Sequence, residues 1–116
     1  MIHDYRELIE SALAYSGGTH TFEDVQEMVA TGRAQLWPAP RGVAITEIVE
    51  YPRKRVLHIF LAAGEMDQLL DMIESAERWG RTQGCTSLTM SGRMGWQRVL
   101  DKHGFKPLLV TMEREM

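Results

Sequence analysis

Residues 56–90 read "VLHIFLAAGEMDQLLDMIESAERWGRTQGCTSLTM", and this stretch decides the fold. Its first eight residues are almost wholly apolar, the pattern of a strand covered on both faces and therefore central in its sheet. Met66, Leu69, Leu70, Ile73, Ala76 and Trp79 then recur at i, i+3, i+4, i+7 spacing. That spacing predicts a long amphipathic helix over 65–84, stopped by Gly84. "CTSLTM" (85–90) returns to strand character. A strand, a helix and a strand joined this closely require a parallel pair and a right-handed crossover.

Upstream, "GVAITEIVEY" (42–51) is rich in β-branched residues and bounded by Gly and Pro, which predicts a strand. The connection "PRKR" (52–55) is too short for a crossover, so this strand pairs antiparallel with the central one. "AQLWPAP" (34–40) is a shorter strand broken by Pro38 and Pro40. Two amphipathic helices come first. Asp4 with Glu7 forms a capping-box pattern ahead of Leu8, Ile9, Ala12 and Leu13, and Gly17-Gly18 ends that helix. Thr21 opens the second, with Phe22, Val25, Met28 and Val29 as its apolar stripe and Gly32 as its stop.

Downstream, "SGRMGWQRVLDKHGF" (91–105) reads as an amphipathic helix ending at Gly104, with Met94, Val99 and Phe105 as packing residues. "FKPLLVTMERE" (105–115) reads as a last strand, with Pro107 near its start where a missing N–H is tolerable. The predicted order is α-α-β-β-β-α-β-α-β, one α/β domain over 1–116 with a mixed central sheet and helices on both faces.

Composition agrees with a globular domain of this kind. The 116 residues are 44% hydrophobic and 25% charged, enough for a single core. A net charge of −3 provides no basic field, so nucleic acid is not an expected partner, although "PRKR" is a local basic patch. The single cysteine, Cys85, excludes an intrachain disulfide and a cysteine metal cluster, and it fits a reducing intracellular compartment. It reads as a small buried residue at a strand start, with a nucleophile as the alternative. The histidines at 3, 20, 58 and 103 have no metal-ligand spacing, so no metal is expected. No apolar run approaches the ~20 residues of a membrane span, and the acidic start does not suit a signal peptide. The expected location is therefore cytoplasmic.

This order, read with "GRMGWQRVLDKHGF", resembles the GNAT (Gcn5-related N-acetyltransferase) superfamily. "LHIFLAAGE", the "GC" strand start at 84–85 and the "GR-GW" helix are most similar to the small GNAT-like proteins of tailed bacteriophages. The resemblance implies an acyl-CoA site at the exit of the central strand, along Leu61, Ala62, Ala63 and Gly64. There a helix N-terminus meets the pyrophosphate, and a strand bulge and splay admit the pantetheine arm. It also implies a phosphate loop opening with Arg or Gln, and a tyrosine on the last helix that protonates the leaving thiolate.

The sequence departs from both devices. Phe60 stands where the loop's Arg or Gln would be, and Gly64 is the loop's one glycine. Glu65 and Asp67 fall in the first helical turn, where each carboxylate stabilises the helix by about 0.3–1 kcal/mol and repels a pyrophosphate. This helix start is expected to cap itself better than it binds an anion. Lys102, Gly104 and Phe105 match the last-helix pattern, but Leu100 occupies the tyrosine position. Arg93, where the superfamily commonly has asparagine, either binds an acidic group of the cofactor or serves as a solvated or capping arginine.

Other chemistry-bearing residues are few. His58 is the unusual polar residue in the apolar strand, either a general base for an amine or a hydrogen-bonded core histidine. Glu47 and Glu50 point to opposite faces of their strand, and one of them is expected near His58, as a base or a solvent-facing carboxylate. Ser87, Thr89 and Ser91 lie near the presumed cleft without a recognisable His/Asp constellation. Trp37 and Trp96 read as core or, alternatively, as an interaction surface.

Two functions follow. The first is a divergent GNAT-fold phage protein without acyl-CoA chemistry and without cofactor. It would act by binding other phage or host proteins, or itself, in the host cytoplasm or within the virion. The second is an acetyl-CoA-dependent N-acetyltransferase acting on an amine of a protein or small molecule, with Gly64 at the cofactor and His58 or Glu47 as base. Loss of both the phosphate loop and the acid favours the first.

Overall fold

The computed structural model describes residues 1–116. A single 3-10 turn (Ile2–Tyr5) leads into α1 (Arg6–Leu13), and α2 (Phe22–Ala30) follows. Strands β1 (Gln35–Ala39), β2 (Gly42–Glu50) and β3 (Arg55–Gly64) form an antiparallel meander. Helix α3 (Met66–Thr82) crosses over to β4 (Ser87–Met90), which pairs parallel with β3. Helix α4 (Gly95–Leu100) and a 3-10 turn (Asp101–His103) complete the regular structure. The sheet order is β1-β2-β3-β4, so β3 is interior, as its two apolar faces predict. Pro38 sits in β1, an edge strand, where a missing N–H interrupts no ladder on the outer side.

The two faces of the sheet bury two separate cores. On one, Val43, Ile45 and Leu61 pack against Ile9 and Leu13 of α1 and Phe22 and Val25 of α2. On the other, Ala44 and Ile59 meet Leu69 and Met72 of α3, while Leu57 packs with Ala76 and Cys85. Cys85 is thus a buried small residue. Gly80 brings α3 down onto β3, since a Cβ there would lie 3.1 Å from the Leu57 side chain. Thr46 is the one buried polar side chain of the core, and it is satisfied: its hydroxyl accepts from Trp37 Nε1 and donates to Gln35, both at 2.9 Å. Trp37 also packs edge-on against Trp79, so it is a core residue rather than a free surface. Trp96 likewise packs against the α3-side core. No helix is long and apolar enough to cross a membrane.

Several predicted features differ. Thr21 and Asp24 form a reciprocal capping box on α2, but Asp4 and Glu7 form none. The chain enters α1 through the 3-10 turn, which makes Tyr5 the N-cap, without a side-chain cap. The helix predicted over 91–105 is helical only from Gly95, and Met94 is 87% exposed instead of packed. Its end is as predicted. Gly104 takes φ 87°, and the Phe105 N–H bonds the Leu100 carbonyl at 3.2 Å, a Schellman-type stop. The strand predicted over 105–115 does not form. The tail leaves the sheet and brings the Glu113 carboxylate 3.8 Å from where a Cβ on Gly17 would stand, beyond the end of α1. Strand-forming composition supplies no ladder when the chain is led away from the sheet edge.

Candidate active site

The site begins where β3 and β4 part. Their register runs from Val56↔Ser87 to Ile59↔Met90, and the last rung is the Ser91 N–H donated to the Ile59 carbonyl at 3.0 Å. β3 continues to Gly64 with a neighbour on one side only. Just past that last rung the pairing with β2 shifts: Thr46 faces Ile59, Ile45 faces Leu61, and Phe60 is the extra residue of a bulge. The bulge turns Leu61 to the α1/α2 side although Ile59, two residues earlier, faces α3. Beyond the bulge β3 runs on to Gly64 without β4 beside it, and this unpaired edge is the wedge of the sheet.

His58 stands at the mouth of this wedge. Leu57 and Ile59 face α3, so alternation puts His58 on the α1/α2 face. The two helices cover that face over Val43, Ile45 and Leu61 and leave the His58 region half-buried. Its lateral neighbours are Glu47 on β2 and Thr89 on β4, both in direct register. His58 Nδ1 lies 2.7 Å from Thr89 Oγ1, and Nε2 lies 3.0 Å from Ser91 Oγ. Burial pushes the His58 pKa below its ordinary value of 6.5, while the charge of Glu47 opposes the shift. Burial thus favours the neutral ring, in which one nitrogen can accept a proton. The sequence singled out His58 and Glu47 and placed Thr89 and Ser91 near the cleft, but did not join them to His58. The signal was present: residues 89 and 91 share one side of their strand, and a parallel neighbour brings that side to His58.

The other end of the wedge is the start of α3. Gly64 has φ 120°, and a Cβ there would clash with the Arg41 carbonyl and the Gly42 Cα, so no other residue fits the turn. Glu65 is the N-cap of α3 but makes no side-chain capping bond. Its carboxylate instead accepts from Arg41 Nε at 2.6 Å, and its N–H donates to the Arg41 carbonyl at 2.9 Å. The Arg41 N–H in turn donates to Gln68 Oε1 at 2.5 Å. This overturns the expectation that α3 caps itself, because the nearer acid is drawn to a cation on the β1–β2 turn. Arg41 was not singled out from sequence. The hairpin register shows why it matters, since Gly42 pairs with Gly64 and so carries Arg41 to the helix start.

The remaining predicted residues divide. Leu61 buries its side chain in the α1/α2 core, and Ala62 and Ala63 pack on opposite faces, so all three offer the wedge only backbone. Arg93 stacks its guanidinium 4.3 Å over the Tyr15 ring, and α4 begins only at Gly95, so Arg93 caps no helix. Leu100 is buried, so the last helix contributes packing and no proton donor. Ser91 and Thr89 both hydrogen-bond His58, without an Asp in the set. No three His, Cys, Asp or Glu side chains converge on a metal position. A broad depression of about 360 Å³ lies between β1 and α3, and Asp71 is its one ionisable lining residue.

No family model matches the sequence, and no curated protein matches it. Solved structures do match in shape. An acetyltransferase of Trypanosoma brucei superposes with a TM-score of 0.70 at 14% identity, over 99% of this chain and 92% of that one. Glucosamine-6-phosphate N-acetyltransferase of Arabidopsis thaliana gives 0.66 at 15% identity, over 99% and 93%. An aminoglycoside N-acetyltransferase solved in complex with CoA gives 0.65 at 17% identity, over 98% and 88%. The chain has the GNAT acyl-CoA N-acyltransferase fold.

Proposed function

We propose that the chain is an acetyl-CoA-dependent N-acyltransferase acting on an amine. The observation that carries this reading is a half-buried histidine, held by Thr89 and Ser91, at the mouth of the β3–β4 wedge. The residues present fit the substrate in two respects. The unpaired edge of β3 over Leu61–Gly64 matches an extended amide-bearing arm, and the first turn of α3 has no side-chain cap and a neutralised Glu65. Acetyl-CoA supplies the activated acyl group, and His58 takes the proton from the attacking amine. Asp67 remains an adverse charge at the pyrophosphate end. Titration calorimetry tests this reading: a micromolar dissociation constant for acetyl-CoA is the expected result, and no heat at millimolar concentration rejects it.

A second reading rests on the tail. Leu108, Leu109, Val110 and Met112 are exposed, and β4 is an unpaired sheet edge. A strand-forming apolar segment and a bare edge are complementary, and proteins rarely leave both uncovered. On this reading the chain acts by association, with itself or with other phage or host proteins, as an assembly or virion component. Sedimentation velocity then detects concentration-dependent dimers that a Val110→Lys variant loses. A monomer at every concentration removes self-association.

A further inference from the structure

We propose that Ser91 is an acyl-accepting nucleophile, activated by His58 and oriented through Thr89, so that acyl transfer passes through a covalent acyl-serine. The inference rests on the acyltransferase reading and assigns the site a two-step chemistry.

The geometry is that of an activated hydroxyl. Ser91 is exposed, and its main chain is fixed by the 3.0 Å bond to the Ile59 carbonyl at the apex of the wedge. Its Oγ lies 3.0 Å from His58 Nε2, within reach for proton transfer. The other ring nitrogen lies 2.7 Å from Thr89 Oγ1. With the proton on Nδ1 donated to Thr89, Nε2 is left to accept from Ser91. Glu47, directly across the ladder, favours the imidazolium that forms. Backbone of β3 beyond Ile59 has no partner on the β4 side, so N–H groups there are available to a developing oxyanion.

Leu100 is buried hydrocarbon, so the departing thiolate takes its proton from elsewhere, and in the two-step route His58 supplies it. Ser91 gives its proton to Nε2, Oγ bonds to the thioester carbonyl carbon, and the C–S bond breaks. The imidazolium returns that proton to sulfur, giving acyl-Ser91 and free CoA thiol. The amine then attacks the ester carbonyl and gives a proton to Nε2, the C–Oγ bond breaks, and the proton returns to Oγ. Water in place of the amine would release the carboxylic acid.

The test uses the full chain and acetyl-CoA with no amine present, read by intact mass and peptide mapping. One acetyl group on Ser91, with release of one equivalent of thiol, is the expected result. Ser91→Ala should bind acetyl-CoA in calorimetry as the wild type does and acquire no adduct. His58→Ala should slow acylation by about 100-fold or more. Acetyl-CoA binding and amine acylation that persist in Ser91→Ala at the wild-type rate overturn the inference but not the function. Label on Lys54, Lys102 or Lys106 alone also counts against it. If acetyl-CoA does not bind, the function reading fails, and p-nitrophenyl acetate then probes Ser91 directly. A phenolate burst with acetyl on Ser91 sustains the nucleophile, and no burst removes it.

Discussion

Arg41 and Glu65 form a 2.6 Å ion pair at the start of α3, and that pair decides what the helix offers an anion. A carboxylate at an N-cap normally binds the first N–H groups. Here the guanidinium draws it aside, and Asp67 adds to the pull on Arg41, whose pKa is raised chiefly by Glu65. Arg41→Ala should therefore weaken acetyl-CoA binding several-fold, and Glu65→Gln should strengthen it. Calorimetry at two ionic strengths checks both, and the effects should shrink at high salt because both side chains are exposed.

The sequence made the central architecture legible because periodicity reports burial directly. β3 and α3 were readable from two apolar faces and one apolar stripe, and Gly104 from its place after the last helical turn. The Arg41–Glu65 pair was not readable, because it joins residues 24 apart through a hairpin register that no local pattern encodes. The Ser91–His58 contact was hidden for the same reason, since the two residues lie 33 apart across a parallel ladder. The tail shows the converse failure. Its β propensity is a statement about side chains, and a strand also needs an edge within reach.

Gly64 should tolerate no substitution. At φ 120° a side chain is strained by about 1–3 kcal/mol, and the Cβ would also press on the Arg41 carbonyl. Gly64→Ala should lower the urea midpoint and, by displacing the β1–β2 turn, separate Arg41 from Glu65. Retained acetyl-CoA affinity in a folded Gly64→Ala protein would argue against the placement of the phosphate end.

Thr21→Ala should cost about 1 kcal/mol, the usual worth of such a cap. The Thr21 hydroxyl accepts the Asp24 N–H at 3.2 Å, and Asp24 accepts the Thr21 N–H at 2.9 Å. The Thr21 hydrogen bonds hold the Asp24 carboxyl below its ordinary range, so the ionised form supports the fold. That contribution is present above the unfolded carboxylate pKa and is lost as pH falls through the lowered value. Thr21→Ala keeps the Thr21 N–H that the carboxylate accepts, so both proteins should lose this contribution at strongly acidic pH, and their urea melts should stay offset by the lost hydroxyl cap.

His58 sets the pH dependence near neutrality. Its pKa is depressed in the folded chain, so below 6.5 the unfolded state binds the proton more readily. Stability is full above 6.5 and declines as pH falls toward the folded value, where the loss levels off. On the proposed mechanism activity follows the same proton, because only neutral His58 accepts from Ser91. The acid limb of kcat/KM should thus lie below 6.5 and coincide with the His58 ring titration followed by NMR. Glu47 favours the charged ring, so Glu47→Gln should move both the titration and the acid limb further toward acid while leaving the Ser91–His58 contact in place. A limb that stays put in Glu47→Gln, or that lies above 6.5 in the wild type, would assign the rate-limiting proton to another group.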